Sequence, residues 1–128
     1  MTIGYAYVVG DLLHVGHLLH LRNCRALCDK LIVGVLTDEA AMEKKPRPTV
    51  PFEERIQLVA ELRCVDAAVA QATYLPLFNI LDIQPDILFE CATHEVTQYA
   101  DFEGRILAMP YYPTQSSTHI KEVIRGES

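Results

Sequence analysis

Ile3-Gly4-Tyr5-Ala6-Tyr7-Val8-Val9-Gly10-Asp11-Leu12-Leu13-His14-Val15-Gly16-His17 is the stretch from which the fold can be read. Ile3 to Val9 is an apolar, β-branched and aromatic run suited to a buried strand, and Gly10 and Asp11 close it with a turn. Beyond the turn, Leu18, Leu19, Leu21, Cys24, Leu27 and Cys28 recur at helical spacing. Strand, turn and helix follow in order, and two imidazoles flank Gly16 where the helix begins. A helix start carries unpaired amides and the positive end of the dipole, so it favours a phosphate, and Gly16 allows close backbone approach. Imidazoles there can donate hydrogen bonds to an anion. Preorganised donors of this kind meet the charge that develops on a phosphoryl group in transit.

The same alternation continues outward. Leu31 to Leu36 reads as a second buried strand, and Thr37 to Pro51, polar and rich in proline and lysine, as a long surface loop. Phe52 to Leu62 returns to helical spacing through Ile56, Val59, Ala60 and Leu62, with Glu53 and Glu54 in the first turn where the dipole favours them. Further strands fit Ala67 to Ala70, Ile87 to Glu90 and Ile106 to Met109, with a short helix at Leu75 to Leu81 stopped near Pro85. Ser116 to Ile124 reads as a closing helix with Ser116 or Ser117 as its N-cap. Apolar strands alternating with amphipathic helices predict an α/β fold: a doubly wound, five-stranded parallel sheet in a single domain over residues 1–128. Ligands of such sheets bind beyond the carboxyl ends of the strands, where strand order reverses.

Composition narrows the function classes. The net charge of -6 comes with scattered basic residues, so no footprint for a nucleic-acid backbone is visible. No stretch approaches the roughly 18 apolar residues of a membrane span, and a basic region followed by an apolar block is missing at the start, which predicts a cytoplasmic protein without membrane partners. Cys24, Cys28, Cys64 and Cys91 lie in apolar segments without zinc-site spacing, as small core residues of a reducing compartment do. His20 stands one turn beyond His17, but no third ligand at suitable spacing makes a metal site of the pair.

Asp11, His14, Gly16 and His17 resemble the cytidylyltransferase family, whose members carry Gly-x-Phe-Asp, a short spacer and His-x-Gly-His at the end of the first strand. The resemblance continues through Thr37, Asp38 and Glu39, Lys44, Glu54 and Arg55, and Arg63 to Asp66. It weakens over residues 71 to 110 and returns at Ser116, Ser117, Thr118 and Ile120 to Ile124, similar to the family's Ile-Ser-Thr-Thr segment. Three departures stand out: Val8, Val9 and Gly10 at the motif's lead-in, Tyr111 and Tyr112 where an arginine often stands, and Cys91 to Glu95 in place of glycine and acidic residues.

The resemblance implies a Rossmann-like domain and a reaction in which a phosphate or phosphonate oxygen of a small metabolite attacks the α-phosphorus of CTP and releases pyrophosphate. It implies His14, His17 and Lys44 as catalytic residues, the lysine as a mobile cation from the loop. Val9, Gly10, Asp11, Gly16, Arg55, Arg63, Asp66, Ser116, Ser117 and Thr118 would hold the nucleotide, and Asp38, His94 and Glu95 would face the second substrate. Magnesium (Mg2+) would accompany the triphosphate, and a homodimer is implied. ATP is the alternative donor, because several adenylyltransferases share the His-x-Gly-His turn. A non-catalytic nucleotide-binding domain is the third reading, motivated by the departures. Taken alone, Lys44 reads as a solvated loop residue, Arg55 and Arg63 as surface partners of Glu54, Glu61 or Asp66, Ser116 to Thr118 as a helix cap, and His94 and Glu95 as solvated loop.

Overall fold

The first strand lies at the centre of the molecule. In the structure, a computed structural model that describes residues 1–91 and 99–110, β1 (Ile3–Val8) is followed by α1 (Val15–Ala26), β2 (Lys30–Leu36), α2 (Asp38–Met42) and α3 (Phe52–Ala60). Then come β3 (Ala67–Gln71), α4 (Leu77–Ile83), β4 (Ile87–Cys91) and β5 (Arg105–Met109). The strands form one five-stranded sheet in the order β3-β2-β1-β4-β5, every pairing parallel. Strand order reverses between β1 and β4. The expected terminal helix, with Ser116, Ser117 and Thr118, and the loop bearing His94 and Glu95 lie outside the described residues.

Strand alternation sorts the core into two faces. Ala6, Val33, Val35 and Phe89 pack with Leu21 and Cys24 of α1 and Val59 of α3 on one side. Tyr5 and Leu88 pack with Ile80 of α4 on the other. Helices therefore cover both faces, which is what doubly wound means physically: a parallel sheet has no side to give to water. Three aspartates stitch the amino-terminal edge. Asp29 accepts from the Thr2 amide, Asp86 from Ile3 and Asp66 from Leu31, satisfying donors at the strand starts.

Three details differ from the sequence reading. The segment from Thr37 to Pro51 is not all loop, because α2 forms within it: the Thr37 hydroxyl accepts from the Ala40 amide at 3.1 Å, and Ala40 and Ala41 are buried. Leu27, one of the apolar residues at helical spacing, is half exposed at the C-cap of α1. The short helix runs slightly later than expected and ends at Gln84, whose φ of 52° breaks it before Pro85.

Gly34 is demanded by close approach. A Cβ there would overlap the Tyr5 hydroxyl and come within 2.8 Å of Gln71 Oε1. That hydroxyl donates to Gln71 Oε1 and accepts from Asn79 Nδ2 at 2.9 Å, a buried network joining β1, β3 and α4. Gly34→Ala is expected to lower unfolding free energy by about 1–3 kcal/mol through overpacking, although alanine favours regular structure over glycine. Urea denaturation checks this; an unchanged or raised midpoint would show that the network gives way freely.

Candidate active site

Beyond Val8 the backbone turns sharply, with φ of 73° at Gly10 and 50° at Leu12. Glycine suits the first position; Leu12 is strained there by about 1–3 kcal/mol and must be held by its surroundings. Asp11 supplies one hold. Its carboxylate, 4% exposed, accepts from the Thr49 and Val50 amides, both at 2.9 Å, and so fastens the end of the lysine-bearing segment to the turn. Asp11, expected to touch nucleotide, is placed here as an acceptor of these two amides.

The turn delivers His14 to the N-cap of α1 with extended backbone. Its Nδ1 accepts from the Gly16 amide at 3.0 Å, while His17 Nδ1 accepts from the His14 amide at 3.2 Å. This is a capping box in which imidazoles replace the usual serine and glutamate. The Gly16 amide, expected to face a phosphate, is thus occupied by His14. The ring centroids are 4.1 Å apart, tilted by 48°. Because both Nδ1 atoms accept, each neutral ring carries its proton on Nε2.

Burial keeps the rings neutral. It lowers the pKa of His14 and His20, and brings that of His17 down to about 4, with smaller contributions in the same direction from His14, His20 and Lys45. Asp11 opposes that shift. At neutral pH the site presents imidazole donors without full charge. Leu13, Val15, Leu18 and Leu62 complete the cleft around them, and the low polarity of that wall strengthens each donor.

Positive charge comes from the segment after α2. Lys44 and Lys45 are both exposed. Lys44 rests its ammonium 5.0 Å from the centroid of Tyr74, whereas Lys45 is the lysine whose charge is felt at His17. The sequence reading singled out Lys44 and passed over its neighbour.

Arg55 is corrected more strongly. Rather than a phosphate ligand or a surface partner, it is fully buried in α3, and its guanidinium donates to Val50 O, Val9 O, Leu36 O and Asp38 Oδ1. The Val50, Leu36 and Asp38 bonds measure 2.8, 2.8 and 2.6 Å. One side chain thus binds the chain just past β1, the end of β2, the start of α2 and the lysine-bearing segment. Asp38, expected at the second substrate, is engaged as its ion-pair partner. Val9 likewise contributes its carbonyl to this strut. Asp66 is corrected too: it pairs with Arg25 at 3.0 Å and caps Leu31 at the amino edge of the sheet, opposite the strand ends that carry the histidines. Arg63 is exposed next to Leu62, at the cleft wall.

Sequence reasoning missed Tyr7, Glu90 and Tyr99. Glu90 is 2% exposed at the carboxyl end of β4 and accepts from the Tyr7 hydroxyl at 2.7 Å and the Tyr99 hydroxyl at 3.2 Å. A charged residue directly after Ile87, Leu88 and Phe89 was the available signal.

A parallel sheet covered by helices, with paired imidazoles at its first turn, defines a Rossmann-like α/β domain. The chain belongs to the cytidylyltransferase-like family, which it matches over residues 10–122. It is 33% identical over 132 aligned positions to the bifunctional protein HldE of Granulibacter bethesdensis, covering 97% of this chain and 27% of that protein. It is 41% identical over 78 residues to the FAD synthase of Methanothrix thermoacetophila, covering 61% of this chain and 54% of that one. The chain therefore spans about a quarter of the first relative and about half of the second. The lipopolysaccharide core biosynthesis protein of Thermoplasma volcanium shares the fold with a TM-score of 0.80 at 24% identity, over 88% of this chain and 98% of that one. Among the described residues no helix is long and apolar enough to cross a membrane.

Proposed function

We propose that the chain transfers a nucleotidyl group from a nucleoside triphosphate to the phosphate or phosphonate of a small metabolite. The observation that carries this reading is the reciprocal histidine cap: both Nδ1 atoms are held by backbone amides, which directs the neutral Nε2–H groups to act as donors. An acceptor oxygen forms a bond to the α-phosphorus as the bond to pyrophosphate breaks. The acceptor is already ionised, so no general base is required. His14 and His17 stabilise the negative charge of the crowded transition state, and a lysine adds the positive charge that neutral imidazoles lack. Among the described residues no group of three or more His, Cys, Asp or Glu could hold a metal ion. Magnesium would accompany the triphosphate. A homodimer in the cytoplasm belongs to the same reading.

CTP is the donor to which the family resemblance points. A second reading, transfer from ATP, is supported by the likeness to FAD synthase, whose named product contains an adenylyl group. Crossing CTP and ATP with a panel of phosphoalcohols, phosphoamines and phosphonates, and measuring pyrophosphate, tests both readings together. Absence of release from every pair would overturn them.

Of the two lysines, Lys45 is expected to matter more. Lys45→Ala should lower kcat by ~10–100-fold through loss of transition-state charge stabilisation, and Lys44→Ala by less. Steady-state kinetics of the two variants decides between them, and the reverse order would return the role to Lys44.

A further inference from the structure

The segment between α2 and α3 is stapled to the rest of the protein at both ends. At its start Glu43 accepts from the Tyr74 amide at 3.0 Å, and the Lys44 ammonium lies 5.0 Å from the centroid of that tyrosine's ring. At its end Asp11 holds the Thr49 and Val50 amides, Arg55 Nε donates to Val50 O at 2.8 Å, and Pro48 is buried. Lys45, Pro46 and Arg47 remain between the staples, and all three are exposed. Lys45 is near enough to His17 to add to the lowering of its pKa. Thr49 is fastened to Asp11, which precedes His14 by three residues. Arg47 stands two residues from Lys45 and from Thr49, so its Cα is at most about 7 Å from the Cα of either. The chain thus carries it past the turn that runs from Asp11 to His17.

Arg47 is committed to no neighbour: among the described residues its guanidinium has no hydrogen bond or ion pair, whereas Arg25 and Arg55 are engaged by Asp66 and Asp38. Its backbone is restrained all the same. A proline fixes its own φ and disfavours the helical region for the residue before it, so Pro46 and Pro48 leave the main chain at Arg47 few conformations. A long cation on such a strap has less freedom to lose on binding than the same side chain on a free loop. Arginine also differs from lysine in kind, because its fixed fork of N–H donors matches two phosphate oxygens at once. The imidazoles offer donors to the reacting phosphorus. The group that leaves with the most negative charge is pyrophosphate, and a restrained bidentate cation beside the turn suits it.

We propose that Arg47, restrained by the prolines on either side, grips the pyrophosphate half of the triphosphate through paired N–H···O bonds and so fixes the leaving group for transfer. This rests on the transferase reading of the turn. As the bond from the α-phosphorus to the bridging oxygen breaks, its electron pair passes to the pyrophosphate that the guanidinium holds, and no proton moves to or from Arg47. Arg47 is a binding residue for the leaving group, distinct from the lysine that meets the transition state.

Calorimetric titration of the full chain with inorganic pyrophosphate and magnesium reads the grip without turnover, with CMP, AMP and glycerol 3-phosphate as comparison ligands. Arg47→Ala should weaken pyrophosphate binding about tenfold or more, through loss of charge-assisted hydrogen bonds, and leave the comparison ligands within about twofold. Arg47→Lys keeps the charge without the fork and should recover only part of that loss. Pro46→Gly keeps the arginine but frees the chain, and should weaken pyrophosphate binding about threefold. Because Arg47 is exposed and unpaired among the described residues, its variants should keep the parent's urea midpoint, which separates a lost contact from a damaged fold. Loss of pyrophosphate binding in Arg47→Ala, with no pyrophosphate released by the parent from any donor and acceptor pair, would support the grip and remove the transferase reading. Release by the parent, with parent-like pyrophosphate binding in Arg47→Ala, would keep the transferase reading and overturn the grip. A parent that does not bind pyrophosphate, full binding in Arg47→Lys or Pro46→Gly, or a loss that falls on glycerol 3-phosphate instead would likewise overturn it.

Discussion

Replacing His14 or His17 by alanine is expected to lower kcat for nucleotidyl transfer by ~10²–10³-fold, the loss typical of one donor aimed at transition-state charge. Each alanine also removes one half of the α1 cap, which costs ~1 kcal/mol of stability and would confuse the kinetic result. His17→Gln separates the two effects. Glutamine at this helix position can reach back to the N-cap amide as histidine does, so the fold should survive while the Nε2–H donor is lost. The same variant changes the response to acid. His17 titrates near 6.5 when unfolded and at about 4 in the fold, so between those values the unfolded state binds more protons. Its contribution to stability is fully present above 6.5, is lost as pH falls towards 4, and is flat below. Thermal unfolding followed from pH 7 to pH 4 should show that decline in the parent and a smaller one in His17→Gln. Full transfer activity in a folded His17→Gln protein would remove the imidazole from the mechanism.

Arg55→Met should destabilise the protein by about 3–5 kcal/mol, because it leaves the Asp38 carboxylate and the Val9 and Leu36 carbonyls without the donor that binds them together. Arg55→Lys should recover little. A lysine ammonium lacks the fixed fork that reaches several acceptors at once. A residue that only gripped phosphate would behave otherwise: its lysine variant would fold normally and raise KM for the nucleotide. Urea denaturation alongside nucleotide titration separates the two, and normal stability in Arg55→Met would refute the strut. Since Arg55 also fastens the segment that carries Lys44 and Lys45, the activity of any folded variant should fall through misplaced lysines.

Arg55 illustrates which features were legible in the sequence. Its place after Glu53 and Glu54 at a helix start was visible, but whether its charge faced solvent, ligand or core depends on residues far along the chain: Val9, Leu36 and Asp38. Asp66 is a parallel case. Its match to the family was read as nucleotide contact, whereas the fold carries it to the amino edge of the sheet, where an unpaired strand amide needs an acceptor. α2 stayed hidden because a helix this short has little periodicity, and burial of Ala40 and Ala41 rather than propensity stabilises it.

By itself the sequence determined the parallel α/β fold and the turn that carries His14, Gly16 and His17. Strand patterning and the local spacing of a capping motif are short-range properties, written in consecutive residues. The tertiary structure alone decided that the imidazoles cap each other, that burial lowers their pKa, and that Tyr7, Glu90 and Tyr99 meet where β1 and β4 separate. The physical reason is that burial, electrostatic coupling and hydrogen-bond direction depend on which distant segments share a strand edge. That depends on how the sheet is ordered, and local pattern does not encode it.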